Sequence, residues 1–301
     1  MIDKPLWIKG FQNAITQLSD FHLSNFLLYI MSNIEILSFN SLINDLDAKK
    51  ASINKLFCFI GEIDSALSVA SLRTDDMPTC KPTFVDQKKI SIKNIIHPLI
   101  NNCVSNSLTL DNKSLLLTGS NMSGKTTFIR TISINSILAQ TIYTVFAEKY
   151  TAPFFKIFSS IRISDNLMQE TSYYLKEVLT IKDFITAAKN DEQCLFVLDE
   201  IFKGTNTVER ISAGKAILEY LNKGNHIVIV STHDVELTEL LENNNYSLYH
   251  FCEEIVDNNL LFNYQLKEGR LETRNAIKIL ELYNYPEEII IDALNTENFL
   301  N

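Results

Sequence analysis

The chain has 301 residues, 46% of them apolar and 21% charged, a balance that allows a sizeable buried core and excludes a disordered tail. Its formal net charge of -9 at pH 7 argues against a protein that coats nucleic acid through its overall field. The five cysteines lack metal-site or disulfide spacing and no apolar run is long enough to cross a bilayer, so we expect a soluble, cytoplasmic protein with no membrane partner.

The first 76 residues show helical periodicity. An apolar stripe in this segment alternates steps of three and four residues, which is typical of one helix lying along another. We favour an ordinary helix-on-helix core over an intermolecular coiled coil, and we assign residues 1–76 as a helical segment. The stripe consists of Ile53, Leu56, Ile60, Ile63, Leu67 and Ala70.

The pattern changes after this segment. Residues 77–93 contain Pro78 and Pro82 and are predicted to be a linker. Across residues 94–285, short apolar runs alternate with helical patterns, which predicts parallel βαβ units in a layered α/β sheet. Residues 286–301 are assigned as a C-terminal tail. The predicted elements are strands at Ser114–Thr118, Cys194–Leu198 and His226–Ser231, and helices at Lys125–Thr144, Tyr173–Lys189 and Ile211–Asn222.

A glycine-containing loop joins the first of these strands to the first helix. Its residues read G-S-N-M-S-G-K-T, which matches the P-loop pattern in the strand-to-helix context that this pattern requires. Backbone N–H groups of such loops surround a β-phosphate. We therefore predict an ATP and Mg²⁺ site, with Lys125 as a catalytic residue that bridges the β- and γ-phosphates and Thr126 as a metal ligand. The predicted nucleotide-binding residues here are Gly119, Ser120, Asn121, Met122, Ser123, Gly124, Lys125, Thr126 and Thr127.

Two adjacent carboxylates end the predicted strand Cys194–Leu198. Asp199 is predicted to bind the nucleotide by holding Mg²⁺ through a water molecule. Glu200 is predicted to be catalytic, because it could orient and polarise the water that attacks the γ-phosphate. An acidic pair at a strand end can simply be two solvated surface residues, but the P-loop pattern upstream favours the catalytic interpretation.

A histidine follows the third predicted strand. Thr232 and His233 come directly after Ser231, at the end of the sheet where the other predicted site residues lie. A lone histidine is more often structural, yet this position makes His233 a candidate catalytic sensor of the γ-phosphate or the attacking water.

The segments around these residues resemble the successive ATPase motifs of the MutS family of DNA mismatch-repair proteins. The similarity extends over roughly residues 90 to 290. The segments are Thr118–Thr127, Leu198–Thr207 and Ser231–Leu240, with Arg162–Ser172 resembling the signature segment and Ile96–Leu99 lying upstream.

The resemblance implies a P-loop NTPase with an ABC-type head that pairs with a second copy or with a related head. Ser172 of one subunit would then reach, in trans, the γ-phosphate bound by the other, and Gly204–Thr207 would lie at the subunit contact. Asn121 would lie next to the phosphates, and Cys103 and Val104 near the adenine. The resemblance also implies DNA as a partner, so that a nucleotide-gated dimer would act on mismatched or branched DNA.

Some residues depart from the family pattern, which leaves other functions open. Ser120 replaces the usual proline, and Glu209-Arg210 stands where the family commonly has aspartate and glycine. A transporter subunit is disfavoured because Thr171–Glu177 replaces the L-S-G-G-Q segment. The remaining alternative is a nucleotide-gated interaction module with little hydrolysis and no DNA reading of its own.

Overall fold

Contacts within the chain divide it into two units, Met1–Leu72 and Arg73–Asn301. The structure is a computed structural model that describes residues 6–120, 122–161, 170–202, 205–256, 259–271 and 276–300, with only the backbone described at some helix and strand positions. Within these residues, no helix combines the length and apolar content that crossing a bilayer requires.

One helix makes up the described part of the first unit. Helix α1 (Leu6–Thr74) has 69 residues. On it, Leu56 is 57% exposed, Ile60 is 54% exposed and Leu67 is 64% exposed. The predicted helix-on-helix core is not seen in the described residues of this unit, because they form one helix and provide no second helix to cover the stripe.

The second unit alternates strands with helices. Its strands are β1 (Thr83–Phe84), β2 (Lys89–Ile95), β3 (Asn106–Asp111), β4 (Ser114–Thr118), β5 (Lys149–Ala152), β6 (Lys156–Ser160), β7 (Cys194–Asp199), β8 (Ile227–Ser231), β9 (Tyr246–His250), β10 (Glu253–Val256), β11 (Asn259–Phe262) and β12 (Lys267–Glu268). Its helices are α2 (Lys125–Ile142), α3 (Glu170–Ala187), α4 (Thr207–Leu221), α5 (Val235–Leu241), α6 (Ala276–Leu282) and α7 (Glu287–Leu300).

The largest sheet confirms the predicted α/β class. Its strand order is β12-β9-β4-β8-β7-β6, and all of its pairings are parallel except that of β12 with β9. A second sheet has the order β1-β5-β2-β3, and β10 and β11 form a separate pair. Residues 77–93, expected as a linker, include β1 and part of β2, and the expected tail at 286–301 includes α7.

The central strands are buried on both faces. All five residues of β4 are buried; Leu115 and Leu117 belong to one apolar cluster and Leu116 to the other. The first cluster includes residues of α2, and the second includes residues of α3, α4 and α5. Uninterrupted apolar runs are typical of parallel strands covered on both faces. This double covering holds the carboxyl ends of β4, β7 and β8 in place.

Candidate functional site

The predicted site residues follow three neighbouring strands. Strand β8 lies between β4 and β7, and Ser231 at its end pairs with both Leu117 and Asp199. Because the strands are parallel, the segments that follow them emerge at one edge of the sheet. The structure thereby brings together Lys125, Thr126, Asp199, Glu200 and His233.

Two positions of the loop between β4 and α2 require glycine. Gly119 has φ +142°, and a Cβ there would lie 2.5 Å from the carbonyl oxygen of Phe251. Gly124 has φ +105°, and its Cβ would lie 3.2 Å from the ring of Tyr264. Both φ values lie in the region that side chains disfavour. The loop can therefore run close to its neighbours only with these two glycines.

Lys125 points back into this loop from the first turn of α2. Its side chain is buried, and its Nζ atom donates to the carbonyl oxygens of Gly119 at 2.6 Å and Ser120 at 2.8 Å. The same atom lies 3.5 Å from Nε2 of His233. The ammonium group is thus held at the helix N-terminus, where both the helix dipole and its own charge favour an anion.

Thr126 and Asp199 meet beside the lysine. The Thr126 hydroxyl donates to Oδ2 of Asp199 at 2.9 Å, and the Ser231 hydroxyl donates to the other carboxylate oxygen. Asp199 is buried. A hydroxyl and a carboxylate in contact are the kind of oxygen donors that Mg²⁺ prefers in proteins. The pair therefore fits the predicted metal site.

The side chains of Glu200 and His233 contact each other beside the lysine. Oε1 of Glu200 lies 2.6 Å from Nε2 of His233. Glu200 has the left-handed φ of 57°, and its backbone N–H donates to the carbonyl oxygen of Ser231 at 2.9 Å. A turn of this kind directs a carboxylate away from the end of its strand and toward the neighbouring strand's histidine. A carboxylate in such a position can accept a proton from water.

The sequence interpretation missed Glu177 of α3. This buried carboxylate accepts a hydrogen bond from the backbone N–H of Phe202 at 2.7 Å. Phe202 is itself left-handed, with φ 56°, and its ring lies 5.7 Å from that of Tyr174. Glu177 therefore holds the segment that follows the catalytic candidate Glu200. Nothing in the sequence distinguishes it from a surface glutamate, because its partner is a backbone group distant in the chain.

Arg210, one of the departures from the family pattern, supports the segment that carries His233. Its guanidinium donates two hydrogen bonds to Asp234, at 2.9 and 2.6 Å. These bonds raise the pKa of Arg210 above its ordinary value. A bidentate pair of this kind restricts both partners. Arg210 therefore connects the first turn of α4 to Asp234, the residue next to His233.

A cavity of about 510 Å³ adjoins the loop. Its lining includes Cys103 and Val104, which were expected near the adenine, and also Tyr264, which the sequence interpretation missed. The Asn106 amide donates to the carbonyl oxygen of Tyr264 at 3.0 Å and accepts from the N–H of Leu266 at 2.7 Å. Asn106 thus fixes the backbone that carries Tyr264. Only the fold brings these distant segments together, so spacing offered no signal.

The remaining loop residues differ in their surroundings. Ser120 donates to Oε2 of Glu253 at 2.9 Å, and buried Ser123 donates to the carbonyl oxygen of Ser120 at 2.8 Å. Met122 is 72% exposed, and Thr127 lines the cavity. The hydroxyl groups of both serines are therefore engaged in hydrogen bonds within the chain.

Several predicted residues lie outside the part of the chain that the structure describes. These include Asn121, residues 162–169 of the signature segment and Gly204. Ser172 belongs to α3, but its side chain is outside the described residues. Their predicted roles remain predictions.

Comparison with known proteins gives a consistent result. Residues 115–301 match the family MutS domain V. The DNA mismatch repair protein MutS of Staphylococcus haemolyticus is 33% identical over 242 residues, which are 77% of this chain and 27% of that protein. The protein of the same name from Shouchella clausii is 30% identical over 281 residues, or 89% of this chain and 32% of that protein. The one from Listeria monocytogenes is 32% identical over 250 residues, or 79% and 29%.

This chain therefore spans between 27% and 32% of the length of these relatives. The family match covers more than half of the chain, and it includes each of the strands β7 and β8 with the acidic pair and the histidine that follow them. The chain belongs to the MutS family.

Proposed function

We propose that this chain is an ATP-binding and ATP-hydrolysing head of the P-loop, ABC-type class. The observation that carries the proposal is the convergence of five side chains at one sheet edge, within hydrogen-bonding distance of their neighbours. They combine a buried ammonium group, a hydroxyl–carboxylate pair and a glutamate–histidine pair. The five are Lys125, Thr126, Asp199, Glu200 and His233.

In this proposal, the loop and Lys125 bind the triphosphate. The ammonium group would exchange the carbonyl oxygens of Gly119 and Ser120 for the β- and γ-phosphate oxygens, while the backbone N–H groups of the loop would surround the β-phosphate. Thr126 and Asp199 would hold Mg²⁺, the hydroxyl directly and the carboxylate through a water molecule. A bound magnesium ion would neutralise charge on the phosphates.

Glu200 would act on the attacking water. Its carboxylate would accept a proton from that water, and His233 would orient the carboxylate and the γ-phosphate from the neighbouring strand. The contacts at 2.6 Å between Glu200 and His233 and at 3.5 Å between His233 and Lys125 support this division of roles. They link the residue that would bind phosphate to the residue that would accept the proton.

The nucleobase would occupy the cavity next to the loop. Tyr264 offers an aromatic face there, and Cys103 and Val104 offer apolar surface. Stacking of a base on an aromatic side chain contributes about 1–3 kcal/mol. Tyr264→Ala should therefore weaken nucleotide binding by roughly 5- to 150-fold, with the phosphate contacts unchanged.

A second copy, or a related head, would complete each site. Ser172 of one subunit would reach the γ-phosphate bound by the other, and the Gly204–Thr207 loop would lie at the contact. The relatives are DNA mismatch repair proteins, which supports action on DNA, with the nucleotide state opening or closing the dimer on mismatched or branched substrates. The chain's net charge of -9 restricts any DNA contact to a local surface.

Nucleotide binding is tested by calorimetry with Mg-ADP on the wild-type chain, on Lys125→Ala and on Lys113→Ala. Loss of a charge-assisted contact of about 1.5–3 kcal/mol should weaken binding by Lys125→Ala roughly 10- to 100-fold. Lys113 is exposed, so its variant should bind like the wild type. Absence of binding by the wild type would sink the nucleotide proposal.

Hydrolysis is tested by steady-state phosphate release. Removal of the proton acceptor in Glu200→Ala should lower turnover by roughly 10²- to 10⁴-fold while leaving Mg-ADP binding intact. If the wild type binds nucleotide but turns over no faster than Glu200→Ala, the interaction-module alternative is correct.

The site shared between subunits is tested with Ser172→Ala. This variant should retain nucleotide binding and lose turnover. Equal loss of binding in Ser172→Ala and Lys125→Ala would contradict the shared site.

DNA action is tested by gel shift with homoduplex, mismatched and branched DNA, each with and without Mg-ATP. We expect a nucleotide-dependent shift with mismatched or branched DNA. If none of the DNA substrates is shifted, the proposed DNA role is contradicted, whereas the proposed ATPase activity is unaffected.

A further inference from the structure

Helix α1 carries an apolar seam that is longer than the stripe first recognised. From Phe39 to Ala70, residues at alternating steps of three and four keep one heptad phase, and all but Lys49 are apolar. Such a pattern over more than four heptads is typical of a coiled coil. With a and d as the seam positions, position a holds Phe39, Leu46, Ile53, Ile60 and Leu67, and position d holds Leu42, Lys49, Leu56, Ile63 and Ala70.

The seam is uncovered in the described residues of the chain. Its large apolar side chains other than half-buried Ile53 are between 46% and 64% exposed, and Phe57 and Phe59 beside it are 71% and 59% exposed. Contiguous apolar surface of this extent marks an interaction site. A partner must cover both the seam and its flanking aromatic side chains.

The composition of the seam fits a second copy of the same helix. Ile53 and Ile60 at a with Leu56 at d follow the preference of two-stranded, parallel coiled coils. Pairing two copies in register places both Lys49 side chains in one layer, whereas a shifted or antiparallel pairing puts a lysine into each of two apolar layers. A charge in an apolar layer is unfavourable, so the in-register arrangement limits this cost to one layer, from which the two ammonium groups can extend apart into solvent on their flexible stems.

The charges beside the seam agree with the same arrangement. In a parallel pair, position g of one helix faces position e of the next heptad on the other helix. Asp45 at g would face Lys50 at e of the second copy, and the twofold symmetry would repeat this contact. Opposite charges at these positions favour the parallel orientation.

The available area suffices for a stable pair. The segment is about 48 Å long at 1.5 Å per residue, and a seam of that length with flanking aromatic side chains can bury on the order of the 800 Å² per partner found in stable complexes. We propose that Phe39–Ala70 pairs with the same segment of a second copy as a parallel, in-register, two-stranded coiled coil. This contact is separate from the one implied for the ATPase loop, and it requires no nucleotide.

The mass of the full chain tests the pairing. Sedimentation velocity without nucleotide should give a dimer for the wild type. Leu56→Glu with Ile60→Glu should give a monomer, because it adds charges to two apolar layers. Asn54→Glu with Ser65→Glu adds the same charge outside the seam, at exposed positions, and should remain dimeric. Unchanged helical circular dichroism in both double variants shows that they are folded.

Crosslinking tests the orientation. Cys58 is exposed, so Ile60→Cys is introduced together with Cys58→Ser. Under mild oxidation a parallel, in-register pair should form a disulfide between the two copies of residue 60, and Cys58→Ser alone should not crosslink. Intact dimers without this crosslink would overturn the parallel arrangement, and a trimeric or tetrameric mass would overturn the two-stranded one.

The nucleotide-free Lys125→Ala chain separates this proposal from the proposed ATPase function. It should remain a dimer even though it binds nucleotide poorly. A wild-type chain that is monomeric without nucleotide and associates only with Mg-ATP would overturn the coiled coil while leaving the ATPase proposal standing. A nucleotide-independent dimer without ATPase activity would support the coiled coil and overturn the ATPase proposal.

Discussion

The two units of the chain place similar apolar side chains in opposite environments. In the sheet, Leu116 and Phe196 are 0% exposed, whereas Phe57 and Leu67 on α1 are 71% and 64% exposed. Apolar content therefore does not distinguish the two units. They differ in whether neighbouring elements cover the apolar side chains. A sheet flanked by its own connecting helices is covered within one chain, whereas a single helix has nothing to cover it. We expect the sheet to determine stability and α1 to determine association.

Phe196→Ala should cause the largest loss of stability among the variants that compare the two units. The Phe196 ring stacks on Phe158 and Phe184, each with centroids 5.5 Å away, so its removal should lower the free energy of unfolding by about 3–5 kcal/mol. Phe57→Ala on α1 should change it by no more than about 0.5 kcal/mol. Urea unfolding at low protein concentration, followed by circular dichroism, measures both. Equal losses in the two variants would break the comparison.

Glu177→Ala should separate polar from apolar contributions within the sheet unit. It leaves the buried N–H of Phe202 without its acceptor, which should lower the free energy of unfolding by about 1–3 kcal/mol. If the displaced Glu200 moves by about 1 Å, kcat should fall by up to roughly 100-fold with KM little changed. Glu177→Gln keeps an acceptor oxygen and should recover most of both losses. A normal kcat in the destabilised alanine variant would show that Glu177 has no positioning role.

Lys88→Met should reveal a pH dependence that belongs to the sheet unit. Lys88 donates to the carbonyl and side-chain oxygens of Asn222, at 3.0 and 2.8 Å, and burial lowers its pKa from 10.5 to about 8. Between these values the unfolded chain binds the proton that the folded chain has released. The free energy of unfolding should therefore rise with pH in the wild type relative to Lys88→Met. Parallel curves from pH 8 to 10.5 would contradict the lowered pKa.

Among the variants of the sheet unit, Arg210→Lys should give the smallest change in stability. The variant keeps the charge but loses the bidentate bond to Asp234, and this partly exposed pair contributes less than about 1 kcal/mol. Because Asp234 adjoins His233, we expect a lower kcat at nearly unchanged stability, measured by phosphate release and urea unfolding. An unchanged kcat would limit Arg210 to packing.

The sequence indicated the parts of the fold and site that depend on neighbours along the chain. The glycine loop before Lys125, the buried strand before Asp199 and the strand before His233 each show their structure in a few consecutive residues. Strand β4 and helix α2 begin where the sequence predicts them. Hydrophobic periodicity and glycine placement are local properties, which is why these elements were predictable.

Other features had no local signal. Glu177 and Phe202 are bonded across 25 positions of the chain, and Asn106 and Tyr264 across 158. Glu200 has a left-handed φ, which the residue type does not predict, because glutamate rarely adopts this conformation. Long-range pairings of this kind depend on which strands become neighbours, and periodicity does not specify strand order.

The amino-acid order alone was sufficient to establish an α/β fold, its glycine loop and the residue types expected to contact a nucleotide, because each arises from backbone geometry and side-chain chemistry within a short segment. Folding decided which distant groups support those residues and which apolar surfaces are covered. Burial is a property of three-dimensional neighbours, so the seam on α1 and the strands of the sheet could be distinguished only once those neighbours were known.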